Sequence, residues 1–248
     1  MTITNNANNY LYHPSKKIGV MIPTYNEAGN IEPLVRQILA LGKNIWIVVV
    51  DDNSQDGTEN ILDSLAQEFL QLKIIHRLTE RGRASAGIRG FKELLALKVD
   101  LMIEMDADFS HDPQSIPQLV QYADQYDIVI GSRYIQGGRT ENCSFLRNFA
   151  SIFINRINGL LFGLKVVDSS GGFKCYQNTV MATIDWDHFI SQAYTVGLEI
   201  LVRANSHGFS MKEVPICFKN RVQGKSKANW KVAINYPLTL LQLKFFLK

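Results

Sequence analysis

The chain has 248 residues, 46% of them hydrophobic and 20% charged, with a formal net charge of +3. This composition excludes wholesale disorder, and the length fits one large α/β domain or a domain with a C-terminal extension. The charge is uneven: from Arg203 to Lys248 there are nine Lys or Arg and one acid, Glu213, which suits a phosphate or an anionic membrane surface as partner, or a plain solvated face.

Residues 1–16 are Asn-rich and polar and read as a flexible arm; with no basic n-region or apolar h-region they do not form a signal peptide. Ile18–Ile22 predicts a short strand running into Pro23-Thr-Tyr25-Asn-Glu27. Ile31, Leu34, Val35, Ile38 and Leu39 recur at helical spacing. The β-branched run Ile45–Val50 predicts a buried strand ending in Asp51-Asp52-Asn53-Ser54. Asp56 or Thr58 can cap the next helix, which carries Ile61, Leu62, Leu65 and Phe69. Leu72–Ile75 predicts a third strand, and a Gly- and Arg-rich loop leads to a helix over Ser85–Leu97. Leu101–Met105 predicts a mostly buried strand interrupted by Glu104 and running into Asp106-Ala-Asp108. Pro113 opens another helix, and the strand Ile128–Ile130 ends in Gly131-Ser-Arg133-Tyr. Strands alternating with helices predict a mostly parallel, doubly wound sheet with helices on both faces.

After Gly138 the alternation weakens. Phe145–Phe162 predicts a long, largely apolar helix, and the Gly-rich stretch 167–176 predicts a loop entering a short strand. A helix near Tyr194–Ser206 and one strand over Met211–Phe218 follow. Residues 228–248 predict an amphipathic helix broken at Pro237. Cys143, Cys175 and Cys217 form no Cys-x-x-Cys pair, so they predict reduced thiols in a cytosolic setting.

The polar motifs fall after strands, at one edge, where open α/β sheets bind ligands. Asp106 and Asp108 offer carboxylate oxygens suited to Mg²⁺ or Mn²⁺, although Asp-x-Asp also serves as an ordinary turn or cap. Tyr25 offers a face to stack a base and Glu27 an acceptor for base N–H groups. Asp51, Asp52 and Asn53 add acceptors next door. There is no Gly-x-Gly-x-x-Gly after a strand and no phosphate-binding Lys-Ser/Thr loop, which disfavours dinucleotide oxidoreductases and P-loop NTPases. His111 is expected in a turn role and Glu199 in a structural one. His76, His188 and His207 show no ligand spacing.

Taken together and in this order, Pro23-Thr-Tyr-Asn-Glu27, Val50–Thr58, Asp106-Ala-Asp-Phe-Ser-His111, Gly131-Ser-Arg-Tyr, Ser170-Gly-Gly-Phe173 and Glu213–Lys227 resemble dolichyl- or polyprenyl-phosphate mannosyltransferases, family-2 glycosyltransferases with a GT-A, Rossmann-like fold. The likeness covers about residues 18–230. It implies a GT-A domain over 17–227 with 228–248 as a C-terminal amphipathic helix. It implies Asp106 and Asp108 as metal and diphosphate ligands. It implies Pro23, Tyr25, Glu27 and Asp52 as nucleotide-binding positions. Arg133 and Arg147 would handle donor and acceptor phosphates, and Arg221 and Lys227 would lie on a loop closing over the diphosphate. Where relatives read Lys-x-Gly-Leu-Gly-Thr-Ala, this chain reads Glu80-Arg-Gly-Arg-Ala-Ser-Ala86, a departure that bears on the donor.

The implied reaction moves mannose from GDP-mannose to polyprenyl phosphate and releases GDP. Alternatives are another hexose, such as glucose from UDP-glucose, or a nucleotide-sugar-binding subunit without turnover. No Gln-x-x-Arg-Trp segment marks a processive polysaccharide synthase, and a sugar nucleotidyltransferase would need a Gly-rich N-terminal phosphate loop that is missing here. No nucleic-acid partner is expected. No uncharged apolar stretch reaches the ~18 residues of a membrane span. Residues 230–248 mix aromatic, aliphatic and Lys residues, as an in-plane interfacial helix does; a core helix, or a dock for a separate membrane subunit, would share that pattern. The expected location is peripheral, on the cytoplasmic face of a membrane.

Overall fold

The computed structural model describes residues 15–191, 195–220 and 230–246, excepting the side chains of 230–235 and 246. The first half alternates as its hydrophobic pattern predicts: β1 (Ile18–Thr24), α1 (Ile31–Leu39), β2 (Ile45–Asp51), α2 (Thr58–Glu68), β3 (Leu72–His76), α3 (Arg83–Ala96) and β4 (Leu101–Glu104). A 3₁₀ turn at Pro113–Ser115 then leads into α4 (Ile116–Tyr122) and β5 (Ile128–Ser132). The rest comprises β6 (Arg139–Glu141), α5 (Phe145–Phe162), β7 (Lys174–Gln177), α6 (Asn178–Thr183), α7 (Val196–Ser206), β8 (Met211–Pro215), β9 (Cys217–Lys219) and α8 (Trp230–Phe246).

Seven strands form one sheet in the order β3-β2-β1-β4-β7-β5-β8. All neighbouring pairs are parallel except those of β7, which is antiparallel to both β4 and β5. The chain steps outward from β1 through β2 to β3, then returns to β1's other side as β4. That reversal opens a crevice at the carboxyl edge between β1 and β4, the place where such sheets receive ligands. Because β7 runs backwards, its first residue, Lys174, pairs with Glu104, the last of β4. The Gly171-Gly172 segment before it is thereby delivered to the same edge.

Alternation along the strands builds a core on each face. Val20, Ile22, Ile47 and Val49 pack with α1, α2 and α4 on one side; Met21, Val48 and Val50 pack with α3, α6 and α7 on the other. Gly90 lets α3 lie close on β1, since a Cβ there would stand 2.5 Å from Met21 Cγ. The three cysteines are free thiols, and burial pushes the Cys175 thiol up to about 12.

Three expectations change. The strand predicted over Met211–Phe218 is two: Pro215 ends β8, and β9 pairs instead with β6 in a small second sheet. Ile216 bridges them, its N–H donating to Ser132 O at 3.0 Å while its carbonyl accepts from Arg139 N–H at 3.0 Å. The C-terminal helix runs through Pro237 without a break. Proline removes one helical hydrogen bond, but α8 is also held from the side: Leu240 and Leu243 are buried, and Tyr236 Oη donates to Asn158 Oδ1 of α5 at 2.9 Å. The helix predicted from Ser85 starts at Arg83, which places an arginine in its first turn.

Candidate active site

The loops after β1 and β2 are bonded to each other. Asn26 N–H donates to Ser54 Oγ at 2.8 Å, Glu27 N–H to Thr58 Oγ1 at 2.9 Å, and Ala28 N–H to Asp56 Oδ2 at 3.0 Å. Ser54 Oγ in turn donates to the buried Asp51. Asn26 and Asn53 take left-handed backbone, φ 55° and 57°, which Asn tolerates better than most residues. Pro23, Tyr25 and Glu27 therefore stand on a braced turn. Glu27 accepts from Asn30 Nδ2 at 2.8 Å, and the Arg81 guanidinium lies 5.8 Å from the Tyr25 ring centroid. Asp52 is buried and engaged: it accepts from Arg77 Nε at 2.7 Å, from Arg77 Nη2, and from Gly82 N–H at 2.8 Å. It ties β2 to the start of α3. Glu80 points outward, its side chain 73% exposed and 3.5 Å from Arg77.

One strand along, Asp106 and Asp108 follow β4. Asp108 Oδ1 accepts from Ser110 N–H at 3.1 Å, and Asp106 N–H donates to His111 Nδ1 at 3.2 Å. His111 is not a simple turn residue. It is buried, stacked 5.1 Å from Phe173 and edge-on to Phe218 at 5.6 Å. Burial lowers its pKa against the pull of Asp106 and Asp108, and its Nδ1 accepts that backbone bond. Arg83, part of the divergent Glu80–Ala86 stretch, contacts Asp106 Oδ1 through Nη2 at 2.5 Å and Glu104 Oε1 through Nη1 at 3.1 Å. Burial opposes its charge, but Asp106 and Glu104 outweigh burial and hold it firmly protonated.

Beside these carboxylates lies a cavity of about 340 Å³ lined by Asp106, Asp108, Arg133, Arg147, Gly171 and Gly172, among others. Arg133 grips the fully buried Asp168 in a bidentate pair, Nε to Oδ2 at 2.8 Å and Nη2 to Oδ1 at 2.6 Å. Glu213 holds that loop by accepting from Val167 N–H and Asp168 N–H, both at 2.9 Å. Asn155 Oδ1 accepts from Ser169 Oγ and Ser170 N–H, both at 2.9 Å. Arg147 is exposed at the mouth and donates to Asn220 Oδ1 at 2.8 Å. Pro23, Tyr25, Glu27 and Asp52 lie outside this lining, on the adjoining strand ends. Arg221 and Lys227 lie outside the described residues.

The donor set fits a hard divalent cation: two carboxylates at a strand end, open to a polar cavity. Gly172 helps, because a Cβ there would stand 3.0 Å from Arg83 Nη2 and 3.7 Å from Asp106 Oδ2. Glu199 is structural as expected, buried and accepting from Ile190, Ser191 and Arg203. His76 does gain company that spacing did not announce. Glu59 and Asp63, one turn apart on α2, bring ligand atoms within 4.8 Å of one another and of His76. Helix and strand meet there only in the fold.

A family model described as glycosyl transferase family 2 matches residues 19–184. Polyprenol monophosphomannose synthase of Mycolicibacterium smegmatis is 35% identical over 86% of this chain and 82% of its own length. Undecaprenyl-phosphate mannosyltransferase of Micrococcus luteus is 33% identical, covering 85% and 87%. Dolichol-phosphate mannosyltransferase of Pyrococcus furiosus is 36% identical over 89% of this chain but 61% of its own. Among solved structures, glucosyl-3-phosphoglycerate synthase of Mycobacterium tuberculosis, with Mn²⁺, UDP-glucose and phosphoglyceric acid, superposes with a TM-score of 0.70 at 16% identity, covering 94% and 81%. With a sheet whose carboxyl edge carries paired carboxylates beside a cavity that Arg133 and Arg147 also line, and with these matches over most of its length, the chain belongs to glycosyl transferase family 2 and is a glycosyltransferase.

Proposed function

We propose that the protein transfers a mannosyl group from GDP-mannose to a polyprenyl phosphate of the dolichyl type, with inversion, and releases GDP. The observation that carries this reading is that Asp106 and Asp108 share one cavity with Arg133 and Arg147. A donor diphosphate and an acceptor phosphate thus each have a matched counterpart within a single space. Three relatives at 33–36% identity bear names of polyprenyl- or dolichyl-phosphate mannosyl transfer, which supports the sugar and the acceptor class.

The chemistry needs little proton management. An acceptor phosphate is already ionised at neutral pH, so its oxygen attacks the anomeric carbon without a general base. The C1–O bond to the diphosphate breaks, and the electron pair leaves with the diphosphate. Asp106 and Asp108 would hold a Mg²⁺ or Mn²⁺ ion, which would supply positive charge where that negative charge develops; the superposing synthase was solved with Mn²⁺. Arg133 and Arg147 hold the acceptor phosphate, for which the guanidinium fork is well shaped. Pro23, Tyr25, Glu27 and Asp52 bind the nucleotide, with Asp52 acting through the Arg77–Gly82 bracket it maintains. Arg221 and Lys227 complete the diphosphate contacts in this proposal. Residues 17–227 make up the catalytic unit.

The acceptor is a lipid, and no described helix is long and apolar enough to cross a membrane. A peripheral site on the cytoplasmic face of a membrane fits this. Phe145, Phe149 and Phe153 repeat every four residues along α5 and are 85%, 60% and 58% exposed; Leu238, Leu241 and Phe245 of α8 are exposed as well. Aromatic and aliphatic side chains of this kind suit insertion at the headgroup level, with Arg147 on the same helix at the cavity mouth. Residues 228–248 are the second contact, with lipid or with a separate membrane subunit.

The test is a donor screen, GDP-mannose against UDP-glucose and other UDP-sugars, with a short polyprenyl phosphate and Mg²⁺ or Mn²⁺. Transfer of mannose is expected to dominate; preference for UDP-glucose would overturn the donor, and tight donor binding without turnover would indicate a non-catalytic subunit. Asp108→Ala is expected to lower kcat at least ~10²-fold, the scale of one lost transition-state charge contact. Activity near that of the wild type would remove Asp108 from the site.

A further inference from the structure

The site contains a cation of its own. Arg83 Nη2 stands 2.5 Å from Asp106 Oδ1, and its Nη1 3.1 Å from Glu104 Oε1. The guanidinium thus spans the last acid of β4 and the first acid of the Asp-x-Asp pair. Both flanking acids are constrained. Glu104 is buried at 5% exposure in register with the buried Lys174, and its Oε2 has no hydrogen-bond partner among the described residues. Lys174 Nζ donates to the Gly171 carbonyl and makes no hydrogen bond to that oxygen.

We propose that Arg83 is a built-in counter-cation that competes with the divalent cation for Asp106, and that Glu104 is where it retreats when the cation binds. The inference rests on the metal reading of Asp106 and Asp108 given above. Arg83 and a divalent cation both draw on Asp106, and like charges a few ångströms apart repel by several kcal/mol even at the effective dielectric of a protein surface. Cation binding therefore requires the Nη2 contact to loosen. The orphaned Oε2 of Glu104 offers the displaced N–H a nearby acceptor, which turns a single contact into the bidentate pair Arg favours. Without diphosphate, Arg83 keeps Asp106 neutralised and cation affinity low. When the donor diphosphate arrives, its own negative charge tips the balance toward the cation. Arg83 is thus a positioning residue that couples cation entry to donor binding.

Direct Mn²⁺ binding tests this, read from the electron paramagnetic resonance of free Mn²⁺ with and without GDP. Arg83→Leu is expected to tighten Mn²⁺ binding without nucleotide by about tenfold or more, from the loss of one nearby unit charge, and to shrink the gain produced by GDP. Arg83→Lys, which keeps the charge, is expected to stay near the wild type. If Arg83→Leu fails to fold, Arg83→Gln, which keeps a donor for Glu104, gives the same reading. Equal Mn²⁺ affinity in the wild type and a folded neutral variant would overturn the role of Arg83. Asp106→Asn separates the metal site from the role of Arg83. Loss of Mn²⁺ binding in this variant upholds the metal reading even if Arg83 proves inert; binding that survives it overturns both.

Discussion

At the scale of single residues, much of the site is built of opposite charges that already face one another before any ligand arrives. Asp52 answers Arg77, Asp168 answers Arg133, and Asp106 shares Arg83 with Glu104. Arg133 illustrates the consequence. Its Nε and Nη2 are committed to Asp168, which keeps the guanidinium charged and fixes its plane against burial. An acceptor phosphate would meet a guanidinium already fixed in place, with less side-chain entropy to lose on binding. Asp168→Ala is expected to destabilise the protein by about 3–5 kcal/mol, because it strands a largely buried cation. Urea unfolding with a shifted midpoint and unchanged slope would show this; a loss under 1 kcal/mol would mean that Arg133 finds water once its partner is gone.

At the scale of elements, α5 does the most. Arg147, Ser151, Asn155 and Asn158 follow one another at helical spacing, and the last two are buried against the Asp168–Ser170 loop and α8. The opposite face carries the exposed phenylalanines. One helix thus shapes the cavity wall and presents an apolar surface outward. Its start is fixed by Ser144, whose Oγ accepts from Arg147 N–H at 3.3 Å, and its end by Gly163 in left-handed backbone. Ser144→Ala removes the cap and is expected to cost about 1 kcal/mol, seen as a lower thermal midpoint. Because the cap bond reaches Arg147 itself, the KM for acceptor should rise more than that for donor; equal shifts in both would detach the cap from the acceptor side.

At the scale of the whole molecule, strand order decides what meets what. Placing β7 antiparallel between β4 and β5 brings Gly171-Gly172 against Asp106, and placing β8 beside β5 brings Glu213 under the Asp168 loop. The exposed apolar faces of α5 and α8 lie on adjacent, contacting helices. If that surface meets the bilayer, changing Phe145, Phe149 and Phe153 together to Ser should cut co-sedimentation with anionic liposomes several-fold. Turnover of a water-soluble short-chain acceptor should be spared. Unaltered sedimentation would move the membrane contact to residues 228–248 alone.

By itself, the sequence determined the elements whose signal is local. The apolar runs and the period-3.6 patterns of residues 18–132 mark their strands and helices, because burial of a strand on both faces and of a helix on one face imposes them wherever the element ends up. It also marked Asp106, Asp108 and the family, since strand-end motifs in a fixed order survive without knowledge of their contacts. Only the tertiary structure decided the rest. Glu104 read as an interruption in a strand until Arg83 and Lys174 came to flank it from 21 residues before and 70 after. Pro215 split a predicted strand because two sheets compete for its ends, and Pro237 failed to break a helix that α5 holds from the side. His111 became a buried acceptor because Phe173 and Phe218 close over it. In each case the deciding contact joins residues far apart in the chain. Its energy depends on burial and charge pairing that no local pattern records.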